Sequence, residues 1–246
     1  MLDTTKYLDT LIVGAGFAGM YSLYKQLSAG FKAEIYEQAD DVGGTWYWNR
    51  YPGARCDIES MDYSYSFSEE LQQEWNWKEK YGTQPELLQY AQYVCKKFNL
   101  RDKINFNTKI TRANFNNKSQ NWLIQTDNDQ VIETKNLILA TGNLSTPNTP
   151  SFSGVNEFKG NIYHTGAWPK TMPDFKGKRV GIIGTGSSGV QSIPIISETA
   201  KQLLVFQRTP NFSLPARHRD LPEDRRDEYK KNYKQYRELA KNSSFG

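Results

Sequence analysis

Two glycine-rich runs carry the clearest chemistry in the chain, Gly14-Ala15-Gly16-Phe17-Ala18-Gly19 and Gly184-Thr185-Gly186-Ser187-Ser188-Gly189. Glycine at the first, third and sixth positions suits a strand-to-helix turn that cradles a phosphate. The first glycine permits the tight turn, the second lets the backbone approach a pyrophosphate, and the third lets helix and strand pack closely. The start of the helix then offers free N–H groups and partial positive charge to the phosphates. The residues closing the next strand differ between the two runs. Glu37 follows the first, and its carboxylate can accept both hydroxyls of an adenosine ribose while repelling a 2′-phosphate. Gln207-Arg208-Thr209 follows the second. A guanidinium pairs bidentately with a phosphate, with charge-assisted bonds contributing about 1.5–3 kcal/mol each. The first run therefore predicts FAD or NAD, and the second NADP(H).

The surrounding pattern supplies the elements that such loops need. Residues 11–13 are an apolar run consistent with a buried parallel strand. Met20, Leu23, Tyr24 and Leu27 fall at helical spacing over about 18–27, Gly30 is placed to cap that helix, and residues 32–36 form the partner strand. The second run repeats the order, with strands at 178–183 and 203–206 and a helix in which Pro194 predicts a kink or loosening. Between the two units, Thr83-Gln84-Pro85-Glu86 reads as a capping box opening a helix to about Phe98, with Cys95 on its apolar stripe. Residues 104–135 alternate as a small antiparallel meander, with turns at 116–120 and 127–129, and residues 136–140 return to a buried strand. Pro147, Pro150, Ser151 and Ser153 mark a linker. Residues 221–240 predict one helix with Tyr229, Tyr233, Tyr236 and Ala240 on one face. The fold class is α/β, with two Rossmann-like dinucleotide-binding domains, FAD then NADP, and the meander inserted in the first. The boundaries fall at 1–146 for the FAD-binding domain, 147–157 for the linker and 158–246 for the NADP-binding domain.

Composition narrows the partners. A net charge of +4, 37% hydrophobic and 24% charged residues describe an ordinary solvated surface and give no argument for nucleic acid. Cys56 and Cys95 form no CxxC, which argues against a disulfide framework, a zinc site or a dithiol redox pair and fits a reducing, cytoplasmic setting. No apolar run is long enough to span a bilayer, and the start of the chain reads as free of a signal peptide. His218 sits in a charged turn with no visible chemistry. Residues 41–57, DVGGTWYWNRYPGARCD, read as an ordered loop. Trp46, Tyr47 and Trp48 are candidates for core or for a flavin-side wall. Arg50, Arg55 and Asp57 are charges embedded among those apolar residues.

Residues 158–169 lie between the two glycine runs and read Phe158-x-Gly160-x-x-x-His164-x-x-x-Trp168-Pro169. Flanked by two Rossmann fingerprints, this pattern resembles the signature of type I Baeyer–Villiger monooxygenases, and GGTWYWNRYPGARCD is similar to that family's loop beside the flavin. The N- and S-oxygenating flavin-containing enzymes resemble it too, but end the motif on Tyr or Phe where this chain has Trp168-Pro169. The resemblance implies FAD and NADP(H) as cofactors and a ketone and O2 as small-molecule substrates, with oxygen inserted next to the carbonyl to give an ester or lactone.

Carried over by position, Gly14, Gly16, Phe17, Ala18, Gly19, Glu37, Gly44, Thr45, Trp46, Trp48, Asp57, Tyr63 and Ile110 would hold FAD. Arg55, Cys56, Asp57, Thr185, Gly186, Ser187, Ser188, Gly189, Val190, Gln191, Arg208 and Thr209 would hold NADP(H). Asp57 and Arg55 would serve catalysis, Asp57 by positioning the nicotinamide and an arginine that this chain does not contain. His164 is expected to fix the joint between the halves and not to act as a general base. No metal is implied. The family's polypeptides continue well past residue 246, so the resemblance implies a truncated N-terminal portion with the C-terminal part absent. Two other readings stay open, an N- or S-oxygenating monooxygenase and a nucleotide-binding remnant without catalysis. A dinucleotide-dependent disulfide reductase is disfavoured by the missing CxxC.

Overall fold

The structure, a computed structural model, describes residues 6–243. The reading of the extreme N-terminus as free of a signal peptide falls partly on residues 1–5, outside the described residues. The chain runs β1 (Lys6–Val13), α1 (Phe17–Ser28), β2 (Ala33–Tyr36), the single turn α2 (Thr45–Trp48), α3 (Glu69–Glu74), α4 (Gln84–Lys97), β3 (Ile104–Asn105), β4 (Ile110–Asn116), β5 (Asn121–Thr126) and β6 (Val131–Leu139). It continues through β7 (Arg179–Ile183), α5 (Ser187–Ser197), β8 (Gln202–Phe206), α6 (Glu223–Lys231) and α7 (Tyr233–Lys241). Two compact units result. One takes the described part of Met1–Asn49 with Leu88–Ala167, the other Arg50–Leu87 with the described part of Trp168–Gly246. The segment 50–87 thus groups with the second glycine run, a division that differs from boundaries drawn along the sequence.

The first unit is built on a six-stranded mixed sheet in the order β3-β2-β1-β6-β5-β4. Strands β3, β2, β1 and β6 run parallel, while β5 and β4 are antiparallel. Successive residues of β1 point to opposite faces, which is why two cores form. Ile12 joins Met20 and Leu23 of α1 and Ala91 and Cys95 of α4 on one side, and Leu11 joins Tyr36, Ile124 and Ile132 on the other. Each such fully buried Leu or Ile contributes about 1.5–3 kcal/mol of transfer free energy. Helix α1 ends in paired bonds from Gly30 N–H to Leu27 and from Phe31 N–H to Gln26, with Gly30 at φ +83°, the cap its sequence predicts.

The meander differs from the expected inserted unit. Its third strand and the returning strand are one element, β6, which pairs antiparallel with β5 near its start and parallel with β1 along its length. Residues Ile104–Asn105 leave the meander and pair with β2 instead.

The second unit contains a parallel pair, β7 and β8, joined by α5, with Ile183, Leu204, Val205 and Phe206 of the pair exposed. Pro194 lies inside α5, which continues past it to Ser197. The expected C-terminal helix is two helices, α6 and α7, meeting at Asn232. Tyr229 and Tyr233 are buried, with the Tyr229 hydroxyl donating to Asp62 and the Tyr233 hydroxyl to Met61 Sδ at 3.8 Å. The tyrosine stripe therefore packs these helices onto the 61–77 segment. Helix α4 starts at Gln84, but Glu86 does not close a capping box on Thr83. Its Oε1 accepts from Lys78 N–H at 2.9 Å. Among the described residues no helix is long and apolar enough to cross a membrane, and no group of three or more His, Cys, Asp or Glu could hold a metal ion.

Candidate functional site

The two glycine runs fold to the same local geometry. Gly14 and Gly184 have φ of +101° and +100°, which a side chain would disfavour. Gly14 N–H donates to Tyr36 C=O at 2.9 Å, and Gly184 N–H to Phe206 C=O at 2.8 Å. The third glycine of each run lies against the first. A Cβ at Gly19 would sit 1.9 Å from the Gly14 carbonyl oxygen, and one at Gly189 would sit 2.4 Å from that of Gly184. The middle glycines face different surroundings. Gly16 and Gly44 approach each other so closely that a Cβ on Gly44 would lie 2.8 Å from Gly16 Cα, while a Cβ on Gly186 meets nothing within 4 Å. Packing does not require glycine at 186, and the open space there is what a phosphate cradle needs.

In the first unit Glu37 is buried, with Oε2 accepting from Ala15 N–H at 2.6 Å and Oε1 from Ala39 N–H at 2.8 Å. A carboxylate has about four lone-pair sites, so each oxygen keeps acceptor capacity for a ribose hydroxyl. The Gly43 N–H donates to Ala15 C=O at 3.0 Å, which brings Gly44, Thr45 and Trp46 to the first glycine run. Asp41 anchors this corner. Burial opposes its ionisation, but bonds from Arg101, Val42 N–H and Gln92 outweigh that and hold its carboxyl below the usual range. Trp46 is buried and Trp48 half-buried, its ring edge-on to Tyr47 at 4.9 Å. Phe17 meets Tyr90 edge-on at 5.9 Å, Ala18 is exposed, and Ile110 packs beside the second core cluster.

In the second unit Gln207 occupies the place of Glu37. Its Nε2 donates to Thr185 Oγ1 at 2.7 Å, and Asn211 Nδ2 donates to Thr185 C=O at 2.8 Å. Arg208 and Thr209 are exposed, and the Arg208 guanidinium makes no hydrogen bond or ion pair among the described residues. Ser187, Ser188 and Val190 lie on α5, where Val190 is exposed. The loop 51–57 belongs to this unit. Arg55 NH1 lies 3.2 Å from Glu79 Oε2 and 2.7 Å from His218 Nε2, which is itself 2.8 Å from Glu79 Oε2. The ring nitrogen accepts from Arg55 or donates to Glu79, according to which nitrogen carries the proton. Glu79 and His218 escape sequence reasoning because no local pattern links either to Arg55. Cys56 is buried, and burial pushes its thiol up. Asp57 is exposed, and Tyr63 is half-buried.

The 158–169 motif spans the last of the three points where the chain passes from one unit to the other, between Ala167 and Trp168. Phe158 is exposed, with its ring lying over Gly160. His164 Nδ1 accepts from Gly166 N–H at 3.1 Å and its C=O accepts from Ala167 N–H at 2.9 Å, closing a short turn. Trp168 is buried with Phe175 at 6.3 Å, and Pro169 follows half-buried.

This doubled strand-loop-helix-strand geometry can be set beside known proteins. Residues 9–220 match the pattern of flavin-binding monooxygenase-like proteins. The chain belongs to that family. A Baeyer–Villiger monooxygenase of Pseudooceanicola batsensis is 44% identical over 96% of this chain and 43% of its own length. Phenazine N-monooxygenase PhzNO1 of Lysobacter antibioticus is 42% identical over 99% of this chain and 45% of its own. Among solved structures, an oxidised steroid monooxygenase bound to NADP is 51% identical with a TM-score of 0.92, over 96% of this chain and 45% of its own. The chain therefore spans less than half the length of these flavin-binding monooxygenase relatives.

Proposed function

We propose that this chain is the FAD- and NADP(H)-binding portion of a Baeyer–Villiger monooxygenase, working in a cytoplasmic, reducing setting that suits its two free thiols. The observation that carries the reading is one fold built twice with opposite chemistry at the strand end, Glu37 in one copy and Gln207-Arg208 in the other. The overall reaction consumes a ketone, O2, NADPH and a proton, and yields an ester or lactone, NADP+ and water.

FAD, when bound, supplies hydride acceptance and the activation of O2. The residues of the chain do the holding. Amides of Gly14–Gly19 and the α1 N-terminus meet the FAD pyrophosphate, and Glu37 takes the ribose hydroxyls. Gly44, Thr45, Trp46 and Trp48 form the wall beside the flavin, with Ile110 contributing to the same ligand. Thr185–Val190 receive the NADP(H) pyrophosphate, and Arg208 and Thr209 the 2′-phosphate. Arg55, Cys56 and Asp57 serve the nicotinamide end. The division into FAD and NADP halves at 1–146 and 158–246 follows these ligands, with 50–87 lending its loop to the second half.

The test incubates the purified chain with FAD, removes free flavin by gel filtration, and titrates NADP+. Cyclic ketones and phenazines with NADPH and O2 are then scored for products by mass spectrometry. Retained flavin, NADP+ binding and ester from a ketone support the reading. N-oxide without ester favours N-oxygenation, the second reading, which the 42% identity to a phenazine N-monooxygenase supports. Failure to bind either nucleotide overturns both.

A further inference from the structure

We infer that Gln191 is a positioning residue that ties the loop carrying Arg55 and Asp57 to the helix receiving the NADP(H) pyrophosphate. The inference rests on the coenzyme reading above. Gln191 lies in the second turn of α5, with Gly186 capping that helix. Its side chain is committed to the loop. Oε1 accepts from the Tyr51 hydroxyl at 2.9 Å and from Arg55 N–H at 3.4 Å, and Nε2 donates to Arg55 C=O at 3.1 Å. An amide oxygen has two lone pairs, so both are taken and only one N–H remains for anything else. The orientation is determined by these partners, since the flipped amide would set NH2 against Arg55 N–H and oxygen against Arg55 C=O.

A second contact welds the same loop to the same helix. Gly53 has φ +76°, and a Cβ there would lie 2.2 Å from the Gln191 carbonyl oxygen and 3.0 Å from Ile195 Cγ1. The loop backbone therefore rests on α5 itself. On its other side Cys56 N–H donates to Gly82 C=O at 2.9 Å, and Arg55 pairs with Thr83 in a backbone bridge. Arg55 is thus held at its backbone by Gln191 and at its guanidinium by Glu79 and His218. A shift of α5 when a pyrophosphate seats at its N-terminus would reach Arg55 and Asp57 through the Gln191 side chain and the Gly53 backbone contact together.

The test compares two ligands, NADP+ and 2′-phospho-ADP-ribose, which keeps the pyrophosphate and both riboses but lacks nicotinamide. Gln191→Met preserves side-chain length and removes the hydrogen bonds. It should weaken NADP+ by about tenfold, the scale of two or three ordinary hydrogen bonds, and leave 2′-phospho-ADP-ribose within about twofold. Tyr51→Phe removes one of the bonds, keeps Gln191, and should show the same split at about threefold. It carries the test if the first variant does not fold. Equal weakening of both ligands makes Gln191 a direct pyrophosphate ligand and overturns the inference, as does unchanged binding of both in each folded variant. A wild-type chain that binds neither ligand overturns the coenzyme reading, and the inference with it.

Discussion

Gly184 donates its amide hydrogen to the carbonyl of Phe206 at 2.8 Å, and that bond fixes which residue follows the strand. Counting from the matching Gly14–Tyr36 pair, Gln207 stands at the place of Glu37, and Arg208 is one step beyond, exposed and free of an ion pair among the described residues. The acid that would repel a 2′-phosphate is replaced by an exposed amide that donates to Thr185 Oγ1. Arg208→Ala should weaken NADPH by about 10- to 100-fold while changing NADH by less than about threefold. Fluorescence titration of both coenzymes checks this, and equal losses would sink the phosphate assignment.

The second glycine run separates packing from ligand binding. Gly186 has φ −71° and open space around a virtual Cβ, so Gly186→Ala should fold as well as the parent. The added methyl occupies the space where backbone and phosphate would meet, so NADP+ affinity should fall by about tenfold or more. Gly189→Ala sets its Cβ 2.4 Å from a backbone oxygen and should destabilise the unit by about 1–3 kcal/mol or more. Thermal melts with and without NADP+ distinguish the two. A Gly186 variant that binds normally would show that no phosphate approaches there.

Local features of this fold were legible because their causes are local. The strand, glycine loop and helix of each half, and the Gly30 cap, follow from residues within a few positions of one another. The failures have a common origin in distant partners. Alternation in 131–135 and the apolar run at 136–140 read as two strands, yet they are one strand that lies beside β1 from Ile132 to Leu139 and beside β5 as well over its first residues. Glu86 has the spacing of a capping box, but Lys78 N–H takes its carboxylate. His218 meets Arg55 across 163 residues, with no pattern around either to announce it.

His164 closes a turn with its ring nitrogen, and that role can be told from proton transfer. An Asn carbonyl can accept from the N–H two residues on, as in an Asx-turn. His164→Ala should cost about 1 kcal/mol, lowering the melting temperature by about 2–4 °C, and His164→Asn should recover most of the loss. The same ranking should hold for NADPH oxidation in flavin-loaded protein. A general base predicts otherwise, with Asn as damaging to turnover as Ala even where it recovers the stability.

Glu86 offers a pH-dependent test of the second unit. Burial pushes its carboxyl above the ordinary value of 4.5, Glu79 adds to the rise, and the bond from Lys78 N–H pulls the other way without cancelling it. The folded state therefore holds the proton to higher pH than the unfolded chain does. Through that window the native protein binds more protons, so stability falls as pH rises from about 4.5 through the folded pKa, and levels off above it. Glu86→Gln keeps an acceptor for Lys78 N–H and removes the buried charge. The variant should match the parent below pH 4 and exceed it by a widening margin as pH rises, with the difference constant once Glu86 is ionised in both states. Urea midpoints at successive pH values measure the margin. A gap that narrows on going from acid to neutral pH would mean that the ionised carboxylate stabilises this corner, contrary to its burial.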